Sequence, residues 1–384
     1  MTETRIGVIG LGNIGKHHAG YLAAGKVKNA RLAAVCTSIP GKAAPFSSSR
    51  AFNDPLEMMR SGCIDAVLIA TPHHQHVTLG ISAFQHGLHV LVEKPIAAHK
   101  ADAERLIAAS GSRPDLVFSA MFQFRIEPRY ETMRRIINED GIGRLLRVTW
   151  IMTDWYRTEA YYLSGGWRAT WRGEGGGVLI NQCLHNLDAL QWMTGMPSRI
   201  RGFCRLGRHH AIEVEDEATA CFEYPSGAVG TLITSTAELP GSNRLEIAGT
   251  KGRLLLENDL LEITRNEEDS AEFSKRADSG FGRPKSSREE MPVPAAKDSH
   301  AKLTQNFVNA IQGREPLIAP GAEGIHSVEL ANAILYSSLK ERTVELPLDS
   351  AAYEVELQRL IATSTAKKKT VKVSNEDITS SFRR

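Results

Sequence analysis

Cysteine is scarce in this sequence, and so are long apolar runs and charge of one sign; each shortage excludes a class of protein. The five cysteines, Cys36, Cys63, Cys183, Cys204 and Cys221, are odd in number, and none lies in a CxxC pair. That pattern argues against a disulfide framework and against a cysteine-built zinc site, and it fits a reduced, cytoplasmic setting. The apolar runs are broken by Gly, Pro or charge before they could span a bilayer. Lys and Arg number 46 against 44 Asp and Glu, so no surface of one sign points to nucleic acid or membrane. Met1–Arg5 leads directly into a strand-like run without an apolar signal region, which speaks against export. No internal repeat is found.

What is present is core material for more than one domain. The chain has 384 residues, 42% hydrophobic, which is long for a single core and comfortable for two. Up to Met121, short apolar runs alternate with helix-like segments. Arg5–Ile9, Arg31–Cys36, Ile64–Ala70, His89–Val92 and Val117–Ala120 read as buried strands; Asn13–Ala24, Val77–Gln85 and Ala101–Ala109 read as helices. Such alternation predicts crossovers and a parallel sheet, an α/β domain of Rossmann type over residues 1–122. Beyond it the pattern changes. A helix over Tyr130–Asn138 precedes strands with period-two alternation at Arg144–Thr153, Ile200–Arg205, Ala218–Tyr224, Ala228–Ser235, Arg244–Gly249 and Arg253–Glu257, with Tyr224–Gly227 as a hairpin turn. This predicts an α+β domain over 123–384 with a large, mostly antiparallel open sheet, closed by helices at Ala301–Gln312 and Glu323–Leu339. Residues 266–298 read as a polar surface excursion, and Lys367, Lys368 and Lys369 as part of a solvated tail.

Gly10-Leu11-Gly12-Asn13-Ile14-Gly15 is a GxGxxG between a predicted strand and a predicted helix, the context in which the motif holds a pyrophosphate. Gly10 permits the tight turn, Gly12 the approach of the phosphates, and Gly15 close packing of helix on strand; the helix N-terminus offers free N–H groups. At the end of the second strand stands Cys36-Thr37-Ser38 rather than an acid, so nothing there repels a 2′-phosphate, and Lys42 can neutralise one or simply face solvent. The cofactor expected is NADP or NAD, with NADP favoured.

Thr71-Pro72-His73-His74-Gln75-His76 follows the third strand and Glu93-Lys94-Pro95 the fourth; Gly175–Asp188 contains Asn181 and His185, and Glu215-Asp216 and Pro240-Gly241 each precede a strand. With the GxGxxG, this ordered set resembles the Gfo/Idh/MocA oxidoreductases over nearly the whole chain to about residue 350. The resemblance implies two domains with the active site between them, a lysine (Lys94) near the reacting carbon, and a histidine (His185) four residues after an acid. Here the acid position is Asn181, as in a subgroup of sugar dehydrogenases. The dinucleotide would lie against Gly10, Gly12, Asn13, Ile14, Gly15, Thr37, Ser38, Lys42, Thr71, His73, His76, Glu93, Lys94 and Gln123.

The residue types fit such chemistry. Oxidising a secondary alcohol needs a hydride acceptor and a base. As i and i+4, Asn181 and His185 are expected on one helical face; the amide can bond a hydroxyl but cannot take its proton. His185 is then the better acid/base, while Lys94 can polarise the same oxygen or relay the proton. His73, His74 and His76 crowd one turn without forming a chelate, so no metal is expected. Tyr156, Trp167 and Arg168 are candidate substrate contacts, the alternative being that they pack the domain seam; Tyr162 and Trp171 read as seam packing. The expected activity is hydride transfer between nicotinamide and a secondary alcohol or ketone of a sugar, cyclitol or sugar derivative. Two alternatives stand beside it: a net non-redox, glycosidase-like conversion through transient oxidation by a tightly held NAD, and a non-catalytic sugar or nucleotide sensor. An open sheet face suggests a homodimer or homotetramer.

Overall fold

The computed structural model describes residues 3–365; the Lys367–Lys369 tail lies outside them. The first half builds the parallel sheet. Strands β1 (Thr4–Ile9), β2 (Ala30–Cys36), β3 (Arg50–Phe52), β4 (Ala66–Ile69), β5 (His89–Val92) and β6 (Phe118–Ala120) alternate with helices α1 (Asn13–Ala23), α2 (Pro55–Arg60), α3 (His74–Gln85) and α4 (Lys100–Gly111). The strand order is β3-β2-β1-β4-β5-β6, all parallel, so the direction of winding reverses between β1 and β4. Ligands of doubly wound sheets bind at such a switch point, beyond the carboxyl ends of the strands. Here those ends carry the GxGxxG turn, Thr71–His76 and Glu93–Pro95. Strands β4 and β5 are apolar because both faces are covered: Ala66–Ile69 and Val90–Val92 are buried throughout.

The second half builds one nine-stranded sheet. After a 3₁₀ turn (Gln123–Ile126) and α5 (Pro128–Asn138) come β7 (Leu145–Met152), α6 (Glu159–Leu163), α7 (Leu184–Thr194), β8 (Arg199–Leu206), β9 (Glu215–Glu223), β10 (Val229–Ser235), β11 (Asn243–Gly249), β12 (Gly252–Glu257), β13 (Leu260–Asn266), α8 (Ser270–Arg276) and β14 (Ser286–Pro292). The chain closes with α9 (Ser299–Ile311), α10 (Gly324–Leu339), β15 (Val344–Glu345) and α11 (Ser350–Thr363). The order is β14-β13-β12-β11-β7-β10-β9-β8-β15, antiparallel except for the β7–β10 pair. The β9–β10 hairpin turns where expected, with Gly227 at φ +82° and its N–H on Tyr224 O at 2.9 Å. Period-two burial, as in β12 and β10, leaves one face buried, α10 packing on it at β8, and the other partly exposed.

The polar stretch 266–298 departs from expectation: it holds α8 and the edge strand β14, paired with β13 over Leu260–Asn266. Both faces of β14 are largely exposed, so its side chains carry no apolar period; backbone pairing and the ion pairs Arg265–Glu289 (3.0 Å) and Arg288–Glu262 (2.8 Å) hold it. Charge along an edge strand also discourages pairing with other chains. The closing helices return to the first sheet. Thr304 on α9 meets Tyr21 on α1 (2.6 Å), Ala319 O accepts from Ala120 N (3.1 Å), and buried Lys100 on α4 pairs with Glu329 on α10 (2.7 Å). No helix among the described residues is long and apolar enough to cross a membrane.

Candidate active site

The glycine turn is built for a dinucleotide. Gly10 has φ +92°, and a Cβ there would meet Ala70 O at 2.7 Å; a Cβ at Gly15 would sit 1.8 Å from Gly10 O, so helix and turn touch directly. At Gly12 a Cβ would meet nothing within 4 Å, which leaves open space before the α1 N-terminus. No side chain caps that terminus and its first turn holds no acid, so the Asn13, Ile14 and Gly15 amides face a place fit for phosphate. Thr71 Oγ1, at the carboxyl end of β4, is buried without a partner, a second sign that a ligand belongs there. At the far end, Thr37 Oγ1 accepts from Ile39 N (3.3 Å), Ser38 is exposed, and Lys42 is half-buried on the next turn.

Lys94 projects from the end of β5 to the seam between the two sheets. Its Nζ donates to Asn181 O at 2.6 Å and to Asn181 Oδ1 at 3.5 Å. Burial, only partly offset by Glu93 and Glu174, brings its pKa down to about 8. Beside it Glu93 is locked: His18 Nε2 lies 2.6 Å from Oε1, and Lys94 N donates to Oε2 at 3.1 Å. Burial pushes Glu93 up, but the His18 hydrogen bond and charge reverse this and bring it to about 2. His18 in turn meets Tyr21 OH (2.7 Å), so the base of Lys94 rests on a buried chain reaching α9.

His185 lies in the first turn of α7, buried between Phe122 and Phe124, with Nε2 at 3.2 Å from Gln123 Nε2 and Nδ1 unpartnered. Burial, and then the Lys94 charge, hold its pKa well below the usual imidazole value. The ring is therefore neutral near neutrality, and the balance between the two candidate bases moves towards Lys94. Asn181 does not share a helical face with His185. Helix α7 begins only at Leu184, because the preceding segment is drawn to Glu215: Gly177 N (2.8 Å) and Leu179 N (3.1 Å) donate to Oε1, and Val178 N (2.9 Å) to the Glu215 carbonyl. Lys94, reaching from the other sheet, is what brings Asn181 and His185 into one site.

The remaining candidates divide. Arg168 Nη1 donates to Tyr161 OH at 2.8 Å and its guanidinium stacks on Trp167 (4.7 Å), while Trp167 meets the His73 ring edge-on at 5.6 Å. These border the Lys94 site. Tyr156 is 39% exposed, and its backbone carbonyl accepts from Arg157 Nη1 at 2.9 Å. Tyr162 and Trp171 are buried, and Tyr162 OH donates to Thr236 Oγ1 at 2.8 Å within the second half. His76 ties the two loops together, its ring nitrogens at 2.8 Å from Thr71 O and 2.7 Å from Pro95 O, and His73 Nδ1 lies 3.2 Å from Glu174 O. The sequence offered no sign of Glu174 or His18, which stand in no motif; Tyr161 belongs to the aromatic segment that also holds Tyr156 and Trp167.

Glu215 carries a pH-dependent part of the stability. Burial lifts its carboxyl from 4.5 to about 7, against the pull of its backbone donors. The folded state thus holds a proton that the unfolded chain releases near 4.5. This favours the fold fully below that pH and fades as pH climbs through about 7, each tenfold difference in proton affinity being worth about 1.4 kcal/mol. Glu215→Gln is expected to remove about 3 kcal/mol of that variation. Urea unfolding of both proteins at acid and alkaline pH measures it, and parallel slopes would reject the assignment.

Two family models match the chain in tandem. The oxidoreductase family with an NAD-binding Rossmann fold covers residues 4–120, and the GFO/IDH/MocA C-terminal domain covers 130–255. Myo-inositol 2-dehydrogenase of Thermotoga maritima is 24% identical over 89% of this chain and 98% of its own. Levoglucosan dehydrogenase of Pseudarthrobacter phenanthrenivorans is 26% identical over 91% and 100%. Among solved structures, the WlbA dehydrogenase of Bordetella pertussis, in complex with NADH and UDP-GlcNAcA, superposes with a TM-score of 0.76 at 25% identity, over 90% of this chain and 100% of that one.

Proposed function

The chain belongs to the Gfo/Idh/MocA family of oxidoreductases, and on that premise we propose that it transfers hydride between nicotinamide and a secondary alcohol or ketone of a sugar, cyclitol or sugar derivative. One observation carries the reading: Lys94, with its pKa near 8, stands beside neutral His185 at the carboxyl end of β5, next to a phosphate-ready glycine turn. When bound, the dinucleotide supplies the hydride acceptor or donor. Lys94 as the free amine accepts the hydroxyl proton during oxidation and, as ammonium, donates it back during reduction. His185 and Asn181 hold that oxygen by hydrogen bonds, and Trp167 and Arg168 border the sugar. Acidic relatives of the substrate are compatible with the site, since Arg168 lies within range of Lys94.

The test is a panel of sugars and cyclitols offered with NAD and with NADP, read as reduced nicotinamide formed. Cofactor retained through purification, with product formed and no net change in reduced nicotinamide, would instead identify the net non-redox conversion. The absence of an acid after Cys36 supports NADP over NAD. Thr37→Asp is expected to move the ratio of kcat/KM for NADP over NAD towards NAD by about tenfold, because a carboxylate repels the 2′-phosphate and accepts from the ribose hydroxyls. A parent enzyme already strongly selective for NAD would remove the NADP preference. The open face of the nine-stranded sheet, with Phe203 and Val229 half exposed, supports a homodimer or homotetramer, and the free cysteines support a cytoplasmic setting.

A further inference from the structure

Two acids act on the Lys94 ammonium, and one of them is already committed. Glu93 is engaged by His18; the other, Glu174, belongs to no motif. Glu174 is 2% exposed and both its oxygens are used: Asn181 Nδ2 donates to Oε1, and Ala169 N donates to Oε2 at 2.5 Å. With its NH₂ held by the carboxylate, the Asn181 amide is left with Oδ1 towards Lys94, whose Nζ is also fixed on the Asn181 backbone oxygen at 2.6 Å. The second oxygen reaches the other wall of the site. Ala169 is fully buried at φ +47°, a left-handed conformation that a residue with a side chain rarely adopts, and it directly follows Trp167 and Arg168. Glu174 N closes the same turn on Thr170 O at 2.9 Å.

We propose that Glu174 is a positioning residue for hydride transfer: through the Asn181 amide it sets the place and charge of Lys94, and through Ala169 it sets the place of Trp167 and Arg168. This rests on the reading of Lys94 as the proton-exchanging group. Around Lys94 stand Glu93 on its own strand end, Arg157 and Arg168 from the aromatic loop, His73 and His76 at the start of α3, His185 on α7 and His300 on α9. Burial holds the four histidines neutral, so Glu174 and Glu93 supply the negative charge against Arg157 and Arg168. Removing the Glu174 charge leaves the two arginines less opposed, so the ammonium gives up its proton at lower pH.

The experiment measures Lys94 itself. Intact parent, Glu174→Gln and Glu174→Asp are acetylated with a limiting amount of acetic anhydride across a neutral-to-alkaline series, and the Lys94 peptide is quantified by mass. In Glu174→Gln the midpoint is expected to fall by about one pH unit. In Glu174→Asp, which keeps the charge, it stays at the parent value, while kcat falls about tenfold or more in both because the shorter or neutral group misplaces the wall. Nucleotide affinity by calorimetry is expected unchanged. A folded Glu174→Gln with an unmoved midpoint overturns the proposal, even if kcat drops, since that is what a merely structural residue would do. Should Glu174→Gln fail to fold, the labelling is repeated on Asn181→Ala, which cuts the link between the carboxylate and Lys94: a shifted Lys94 midpoint supports the proposal, an unmoved one overturns it. Full turnover in Lys94→Ala would sink the reading of Lys94 instead, and would leave the labelling result standing.

Discussion

Lys94→Ala lowers kcat by about 10²–10⁴ and leaves nucleotide affinity within a few-fold, the size of effect expected when a positioned acid–base group is lost. The amine is not needed to hold the dinucleotide, because the glycine turn and the α1 N-terminus do that. It is needed where Nζ meets Asn181, at the seam of the two sheets. Since its pKa is about 8, the free amine is the form that accepts a proton, and the oxidation rate is expected to rise with pH through that value. His185→Ala is expected to lower kcat as well. Its ring is held neutral by burial and by the Lys94 charge, so it orients the oxygen as a hydrogen-bond partner. If both act on one oxygen, the double variant loses less than the product of the two single losses, because the second change removes help already gone. Asn181→Ala is expected to weaken substrate binding and also to lower kcat, because it unlinks Lys94 from Glu174, but by less than Lys94→Ala, as an amide takes no proton. Steady-state kinetics of the four variants measure this. Full turnover in His185→Ala, with its fold intact by circular dichroism, would leave Lys94 to act without it.

What could be read from the chain alone follows from how each element is buried. Strands β4 and β5 are covered on both faces, so Ala66–Ile69 and Val90–Val92 appear as unbroken apolar runs, and the parallel sheet was legible. The strands of the second sheet show the period of a sheet covered on one side. Strand β3, only Arg50–Phe52, and the exposed edge strand β14 bury too little to leave a pattern. Lys94 and His185 were legible because motif residues flank them. Their partners were not. His18 lies 75 residues from Glu93, and Asn181 lies 87 from Lys94, so only folding makes these contacts. The helical spacing of Asn181 and His185 misled for a local reason: Glu215 recruits the Gly177 and Leu179 amides and delays the helix to Leu184. A carboxylate distant in sequence outweighed the i, i+4 pattern.

The same holds for the pair whose loss should cost the fold most. Arg125→Met is expected to destabilise the protein by about 3–5 kcal/mol. Arg125 and Asp188 have side chains with 0% exposure, joined by Nε to Oδ2 at 2.8 Å and Nη2 to Oδ1 at 2.7 Å. Gln191 Nε2 donates to the same Oδ1 at 3.1 Å, and Arg125 Nη1 reaches Ile318 O at 3.3 Å and pairs with Glu323. Burial works against the guanidinium charge, but Asp188 and Glu323 more than restore it. Removing Arg125 alone would leave the Asp188 carboxylate buried with a single amide donor, and that unpaired charge is the source of the loss. The pair as a whole is worth less than either half, because two desolvated ions are replaced at once in Arg125→Met/Asp188→Leu; this double variant is expected to be more stable than Arg125→Met. Urea unfolding followed by circular dichroism ranks the three proteins. The contact also has a catalytic reach. Arg125 sits in the turn Gln123–Ile126, which presents Gln123 and Phe124 to the His185 ring, while Asp188 lies one helical turn below that histidine on α7. The double variant, though folded, is therefore expected to keep nucleotide affinity and lose kcat, as the turn and the helix are no longer keyed to each other. An Arg125→Met protein within about 1 kcal/mol of the parent would show that water or Gln191 satisfies Asp188 unaided, and that the turn is held by its apolar packing alone.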